Sequence, residues 1–168
     1  EAIECSARPI AITHANPSRW HPALRNKSDS VLRALSDSGG MIGFSLYPHH
    51  LAEGSACTLD SFCQMIADTA EDMGIDHIGI GSDLCQDQPD SVVEWMRNGR
   101  WTREKDFGEG SKASPGFPDQ PAWFKDNRDF PALRVGLKKV GLDDTAVNAV
   151  MGDNWLRFFE KSFGPAQP

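Results

Sequence analysis

Short apolar runs alternate with amphipathic stretches through the first half of the chain. Residues 9–13 (Pro-Ile-Ala-Ile-Thr), 41–46 (Met-Ile-Gly-Phe-Ser-Leu) and 77–81 (His-Ile-Gly-Ile-Gly) each predict a brief buried strand. Between them the period changes. Residues 29–38 predict a helix with Ser28 as N-cap and Gly39-Gly40 as its stop. Residues 59–73 predict a second helix between Thr58 and Gly74, with Leu59, Phe62, Cys63, Ile66, Ala67 and Ala70 on one face. The strands begin at residues 9, 41 and 77, spacings that fit βα units. Strands that alternate with helices imply a parallel sheet.

Residues 84–131 break the pattern. They are rich in Pro, Gly, Asp and Trp, and only 91–98 suggest a short helix. Trp95, Trp101 and Trp123 in this insert are candidates for buried area. The tail returns to helix over 131–140, stopped by Gly141, then 144–151 and 154–163. Trp155, Leu156, Phe158 and Phe159 of the last segment are expected in the core. The 168 residues are expected to form a single domain carrying the 84–131 insert. Three parallel strands make a poor domain, since their edges lack partners. A full (β/α)₈ barrel takes about 250 residues. The fold class is therefore α/β, the C-terminal part of a TIM barrel with earlier strands absent. The chain begins with Glu and shows no signal peptide, as expected of a processed chain or a piece of a longer one.

Charge narrows the partners. A net charge of −7 argues against nucleic acid, and no apolar run reaches the length of a membrane span, so a soluble protein is expected. Cys5, Cys57, Cys63 and Cys85 form no metal-type spacing and read as buried thiols.

Parallel α/β folds place their chemistry at the C-terminal ends of the strands. The third run ends on Gly81-Ser82-Asp83, which makes Asp83 a candidate acid, base or metal ligand, or a simple turn cap. The first run ends on His14, a candidate metal ligand or a structural imidazole. Arg25, in the following loop, presents a fork suited to a carboxylate, or pairs with Asp29 at the surface. The loop after the second run carries Tyr47, His49 and His50, where adjacent histidines are usually solvated. His77 enters the third run at the opposite end, and His21 has no evident partner. No phosphate loop, GxSxG elbow or HExxH motif is present.

Taken in order, Ile12-Thr13-His14-Ala15-Asn16, Arg25-Asn26, Gly39-Gly40-Met41-Ile42-Gly43, Asp76-His77-Ile78-Gly79-Ile80-Gly81-Ser82-Asp83 and Met151-Gly152-Asp153-Asn154-Trp155-Leu156-Arg157 resemble the membrane (renal) dipeptidase family of zinc metallopeptidases. The insert resembles the Trp-rich version of some bacterial members. The resemblance implies a metal-dependent-hydrolase barrel with two zinc ions bridged by a carboxylate and a hydroxide. It implies that His14 ligates one zinc, that Arg25 holds the free carboxylate of a dipeptide substrate, and that Asp83 handles protons at the attacked bond. By the same likeness Tyr47 and His50 line the substrate pocket, Asn154 supports the strand end near Asp83, and a homodimer is possible. The family's His-x-Asp pair, its bridging Glu, another His ligand and a further His that helps polarise the intermediate have no counterpart here. A zinc site needs three or four protein ligands, so the chain alone is expected to bind zinc poorly and to be inactive. The alternatives are a non-catalytic half-barrel scaffold and a related barrel amidohydrolase acting on another amide or lactam.

Overall fold

In the computed structural model, which describes residues 1–99, 101, 103–104, 112–113 and 116–164, three parallel strands form one sheet. After a single helical turn, α1 (Ala2–Cys5), come β1 (Ala11–Ala15), α2 (Asp29–Asp37), β2 (Met41–Phe44), α3 (Leu59–Met73) and β3 (Ile78–Ile80). The sheet order is β1-β2-β3. Each crossover carries one of the expected helices. Thr58 caps α3 by accepting the Ser61 N–H, and Gly74 ends it with a φ of 84° that favours glycine. Ser28 stands at the N-cap of α2, but its hydroxyl pairs with Ser30 instead of a backbone N–H.

One face of the sheet is the core. Ile12, Ile42 and Ile78 lie in register, as do Phe44 and Ile80. Against them pack Leu32 and Leu35 of α2, and Phe62, Cys63 and Ile66 of α3, all of them fully buried. Phe62 meets Phe44 edge-on with centroids 6.4 Å apart. Burying each such side chain contributes about 1.5–3 kcal/mol before entropy is counted. The later helices α5 (Phe130–Lys139), α6 (Asp144–Asn148) and α7 (Asn154–Phe163) complete the packing.

The other face is built on glycine. A Cβ on Gly43 would lie 2.2 Å from the Thr13 carbonyl oxygen, and one on Gly81 only 1.8 Å from it. The bare backbone lets β1 and β3 curl toward each other across β2. A Cβ on Gly79 would strike the Trp155 indole, which lies on the sheet and donates Nε1–H to Ile80 O at 3.0 Å. Asn154 Nδ2 donates to Ile75 O at 2.7 Å and Ile78 O at 2.6 Å. Since the Gly81 N–H turns toward Phe44 O, the Ile78 and Ile80 carbonyls face away from β2. The start of α7 thus covers the outer edge of β3. Beside β1 lies an open cavity of about 830 Å³, lined by Ile10, Ala11, Thr13, Trp155, Phe159 and Phe163 among others.

Some boundaries differ from expectation. β1 runs to Ala15, so His14 belongs to the strand instead of the loop. β2 ends at Phe44 although Leu46 N–H still reaches Ser82 O, and His77 falls in the 3-10 turn Ile75–His77 that precedes β3. The helix after Asp143 ends at Asn148 and passes into a π-type turn, Ala149–Asp153. In α7 only the face toward the sheet is covered. Phe158 is buried and Trp155 half-buried, whereas Leu156 is 63% and Phe159 48% exposed, contrary to their assignment to the core. Trp95 and Trp101 are also exposed, and of the buried thiols only Cys57 and Cys63 are enclosed.

The insert holds α4 (Asp90–Asn98), and its second part returns over α3. Trp123 Nε1 donates to Cys57 O at 2.8 Å, and Phe124 is fully buried between Trp123 and Phe130.

Candidate active site

The C-terminal ends of the three strands converge on a polar network. β1 carries a bulge, since Ile12 pairs with Ile42 but Ala15 with Phe44, three steps against two. Bulges re-aim side chains next to functional sites, and this one contains Thr13 and His14. Thr13 Oγ1 stands 2.8 Å from His14 Nδ1, which occupies that nitrogen and leaves Nε2 unpartnered among the described residues. A ligating imidazole is commonly held through its second nitrogen in this way.

Asn16, one residue past β1, is fully buried. Its Oδ1 accepts the Ser45 N–H at 3.0 Å, and its Nδ2 donates to Ser45 O at 3.0 Å and His50 O at 3.1 Å. The Asn16 N–H donates to Asn26 Oδ1 at 2.9 Å, and Asn26 Nδ2 donates to His50 O at 2.9 Å and His21 O at 2.8 Å. Two amide side chains thus tie the loops after β1 and β2 together, as buried polar groups require. Asn26 is the neighbour of Arg25, which anchors the base of that residue. The Arg25 side chain is exposed and makes no ion pair among the described residues. The expected alternative, a pair with Asp29, is not formed, because Arg19 takes Asp29 at 2.6 Å and Asp72 at 3.0 Å.

His50 corrects the expectation of a solvated histidine pair. It is 4% exposed, with Nδ1 2.8 Å from Ser45 Oγ. Burial, then the charges of Arg25, His14, His49 and His21, push its pKa from 6.5 down to about 4. The imidazole is therefore neutral near pH 7. Tyr47 packs edge-on against His50 with centroids 5.0 Å apart, against His49 at 5.4 Å and against Phe117 at 6.4 Å. Phe117 comes from the insert. It follows Gly116, where a Cβ would fall 1.9 Å from Asp90 Oδ1.

At the end of β3, Asp83 has a φ of 55°, a left-handed conformation uncommon for residues other than glycine. Leu46 N–H donates to Ser82 O at 3.1 Å, so Asp83 follows directly on the tie between the β2 and β3 ends. Burial and the Asp83 charge raise the pKa of the Cys85 thiol.

The sheet thus gathers His14, Asp83, Tyr47 and His50 at its C-terminal edge, with Arg25 in the adjoining loop. Asn154 does not join them. It holds the start of β3, the end opposite Asp83. Asn16, Ser45 and Phe117 carry contacts that no local spacing announces, although an Asn two residues after a candidate ligand His was a usable signal. No group of three or more His, Cys, Asp or Glu side chains suited to a metal ion forms among the described residues. His14 supplies one ligand where a zinc site takes three or four. The residues present do not by themselves fit a metal.

The family model described as membrane dipeptidase (peptidase family M19) matches residues 1–97. An uncharacterized protein in the pqqA 5′ region of Klebsiella pneumoniae is 37% identical over 153 residues, 89% of this chain and 45% of that protein. The dipeptidase ataJ of Aspergillus terreus is 26% identical over 163 residues, 96% of this chain and 32% of that protein. Among solved structures, an amidohydrolase from Pseudomonas aeruginosa superposes with a TM-score of 0.84 at 29% identity, covering 95% of this chain and 47% of that one. The chain spans about a third to a half of the length of these relatives, and its fold is part of a TIM barrel.

Proposed function

The chain belongs to the membrane dipeptidase family, and on that premise we propose that it carries the C-terminal part of a metal-dependent dipeptidase site. The observation that carries this reading is an exposed Arg25 guanidinium with no ion pair among the described residues, in the loop tied by Asn26 to the buried His50, at strand ends that also present His14 and Asp83. In this reading Arg25 grips the free carboxylate of a dipeptide through its fork. His50 adds a hydrogen bond without a second positive charge, and Tyr47 walls the pocket. Fixing the carboxylate next to the scissile bond restricts the substrate to short peptides and holds the carbonyl for attack. Asp83 passes a proton toward the departing amine. His14 would supply one ligand of a zinc site that the described residues do not complete, so the chain by itself should be inactive.

A second reading is favoured by the likeness to the Pseudomonas amidohydrolase, namely hydrolysis of another amide or lactam on the same barrel. Assay of the complete, zinc-loaded protein against dipeptides, N-acyl amino acids and lactams separates the two. Cleavage of dipeptides, with most of kcat lost in Asp83→Asn while metal is retained, supports the first. Cleavage confined to lactams or N-acyl amino acids supports the second. Full turnover by Asp83→Asn removes that residue from the chemistry.

A further inference from the structure

We propose that Ser45 is a positioning residue that holds His50 in its Nε2–H tautomer, presenting an N–H donor to an anionic group of the ligand. The ligand part rests on the dipeptidase reading; the tautomer rests on hydrogen-bond accounting alone.

Ser45 Oγ has two partners. It accepts the Tyr47 N–H at 3.2 Å and lies 2.8 Å from His50 Nδ1. A hydroxyl has one proton to give and two lone pairs. If Nδ1 carried the imidazole proton, Oγ would accept twice. Its own proton would then have no acceptor, because among the described residues no other polar atom pairs with Ser45 Oγ, and Ser45 is fully buried from water. If the hydroxyl donates to Nδ1, all three groups are satisfied. An unmade bond at a buried donor biases the equilibrium by roughly five- to a hundred-fold, which sets the proton on Nε2.

That nitrogen is available. Among the described residues no hydrogen bond occupies His50 Nε2, the one on this ring being at Nδ1. The backbone at His50 is fixed as well, by the Asn16 and Asn26 amides on its carbonyl. With Nδ1 held by Ser45 and Nε2 protonated, His50 acts as a donor and not as a base. Arg25, next to Asn26, supplies the charge that such a donor lacks.

Two-bond ¹H–¹⁵N correlation spectra of the ¹⁵N-labelled complete protein read the tautomer, with His50→Gln identifying the resonances. The expected wild-type pattern is a single Nε2–H form, with Ser45→Ala shifting the tautomer ratio by five-fold or more and Ser45→Thr restoring it. A wild-type Nδ1–H pattern overturns the proposal, and so does a ratio unchanged in Ser45→Ala. The wild-type spectrum decides even where Ser45→Ala fails to fold. KM then tests the ligand. Ser45→Ala should raise KM for a dipeptide several-fold and leave it unchanged for the C-terminal amide; equal effects on both overturn the ligand assignment. A Ser45-dependent tautomer in a protein that cleaves no dipeptide supports the positioning role and overturns the dipeptidase reading instead.

Discussion

Replacing Asn16 by Ala should cost the fold about 2–6 kcal/mol. The Asn16 side chain is the partner of both backbone groups of Ser45, accepting its N–H and donating to its carbonyl at 3.0 Å each. Ser45 is fully buried, so truncation leaves two polar groups without water, at about 1–3 kcal/mol each. The His50 carbonyl is spared, because Asn26 Nδ2 still reaches it at 2.9 Å. Asn16→Asp sharpens the reasoning. It keeps the acceptor for Ser45 N–H but turns a carboxylate oxygen toward the carbonyls of Ser45 and His50. At neutral pH the loss should equal or exceed that of Asn16→Ala. Burial raises the folded pKa of the new carboxyl, so the deficit relative to wild type is small below the unfolded carboxyl value near 4 and grows as pH rises through the folded value. Urea unfolding followed by Trp fluorescence and far-UV circular dichroism reads this directly. With a slope of about 1–3 kcal/mol per molar, a loss of about 3 kcal/mol moves the midpoint by about 1–3 M. A loss under about 0.5 kcal/mol in Asn16→Ala, or an Asn16→Asp protein as stable as wild type at pH 7, would refute the network's role.

Three further predictions follow from single contacts. His50, held neutral by a pKa lowered from 6.5 to about 4, contributes stability that is complete above pH 6.5 and is lost as pH falls through 4, about 3 kcal/mol in all; stability measured over that range in His50→Gln should be flatter, and an unchanged slope would assign the acid sensitivity elsewhere. Gly81→Ala places a Cβ 1.8 Å from the Thr13 carbonyl oxygen and should destabilise by about 2 kcal/mol or more in thermal melts, and a change under about 0.5 kcal/mol would contradict the close approach of β1 and β3. Phe117→Ala removes the ring against Tyr47, and on the dipeptidase reading should shift the kcat/KM ratio between bulky and small dipeptides by about ten-fold; an unchanged ratio takes Phe117 out of the pocket.

Local signals carried the helices well. Leu59–Met73 and Asn154–Phe163 have the bounds that periodicity and stop residues indicate, because a cap and a 3.6-residue repeat are read within one stretch of chain. The strands were legible in place but not in extent. The bulge that carries His14 into β1 depends on its pairing with β2, which no local pattern records. Candidate residues at strand ends were visible from chemistry, since His14, Arg25 and Asp83 follow apolar runs. What supports them was not. Asn16 bonds to residues 29 and 34 positions away, and Phe117 reaches Tyr47 from the insert. Asn154 misled because its partners are the carbonyls at the start of β3, and Phe159 because an apolar residue in an amphipathic helix need not meet the core.

The most direct test of the central claim compares hydrolysis of a dipeptide and of its C-terminal amide by the complete, metal-loaded protein, in wild type and in Arg25→Lys. If the Arg25 fork grips the substrate carboxylate, the amide should be cleaved with kcat/KM lower by roughly ten- to a hundred-fold, and Arg25→Lys should narrow that gap by weakening the dipeptide alone. Equal cleavage of the two substrates, or a gap unaffected by Arg25→Lys, would contradict it.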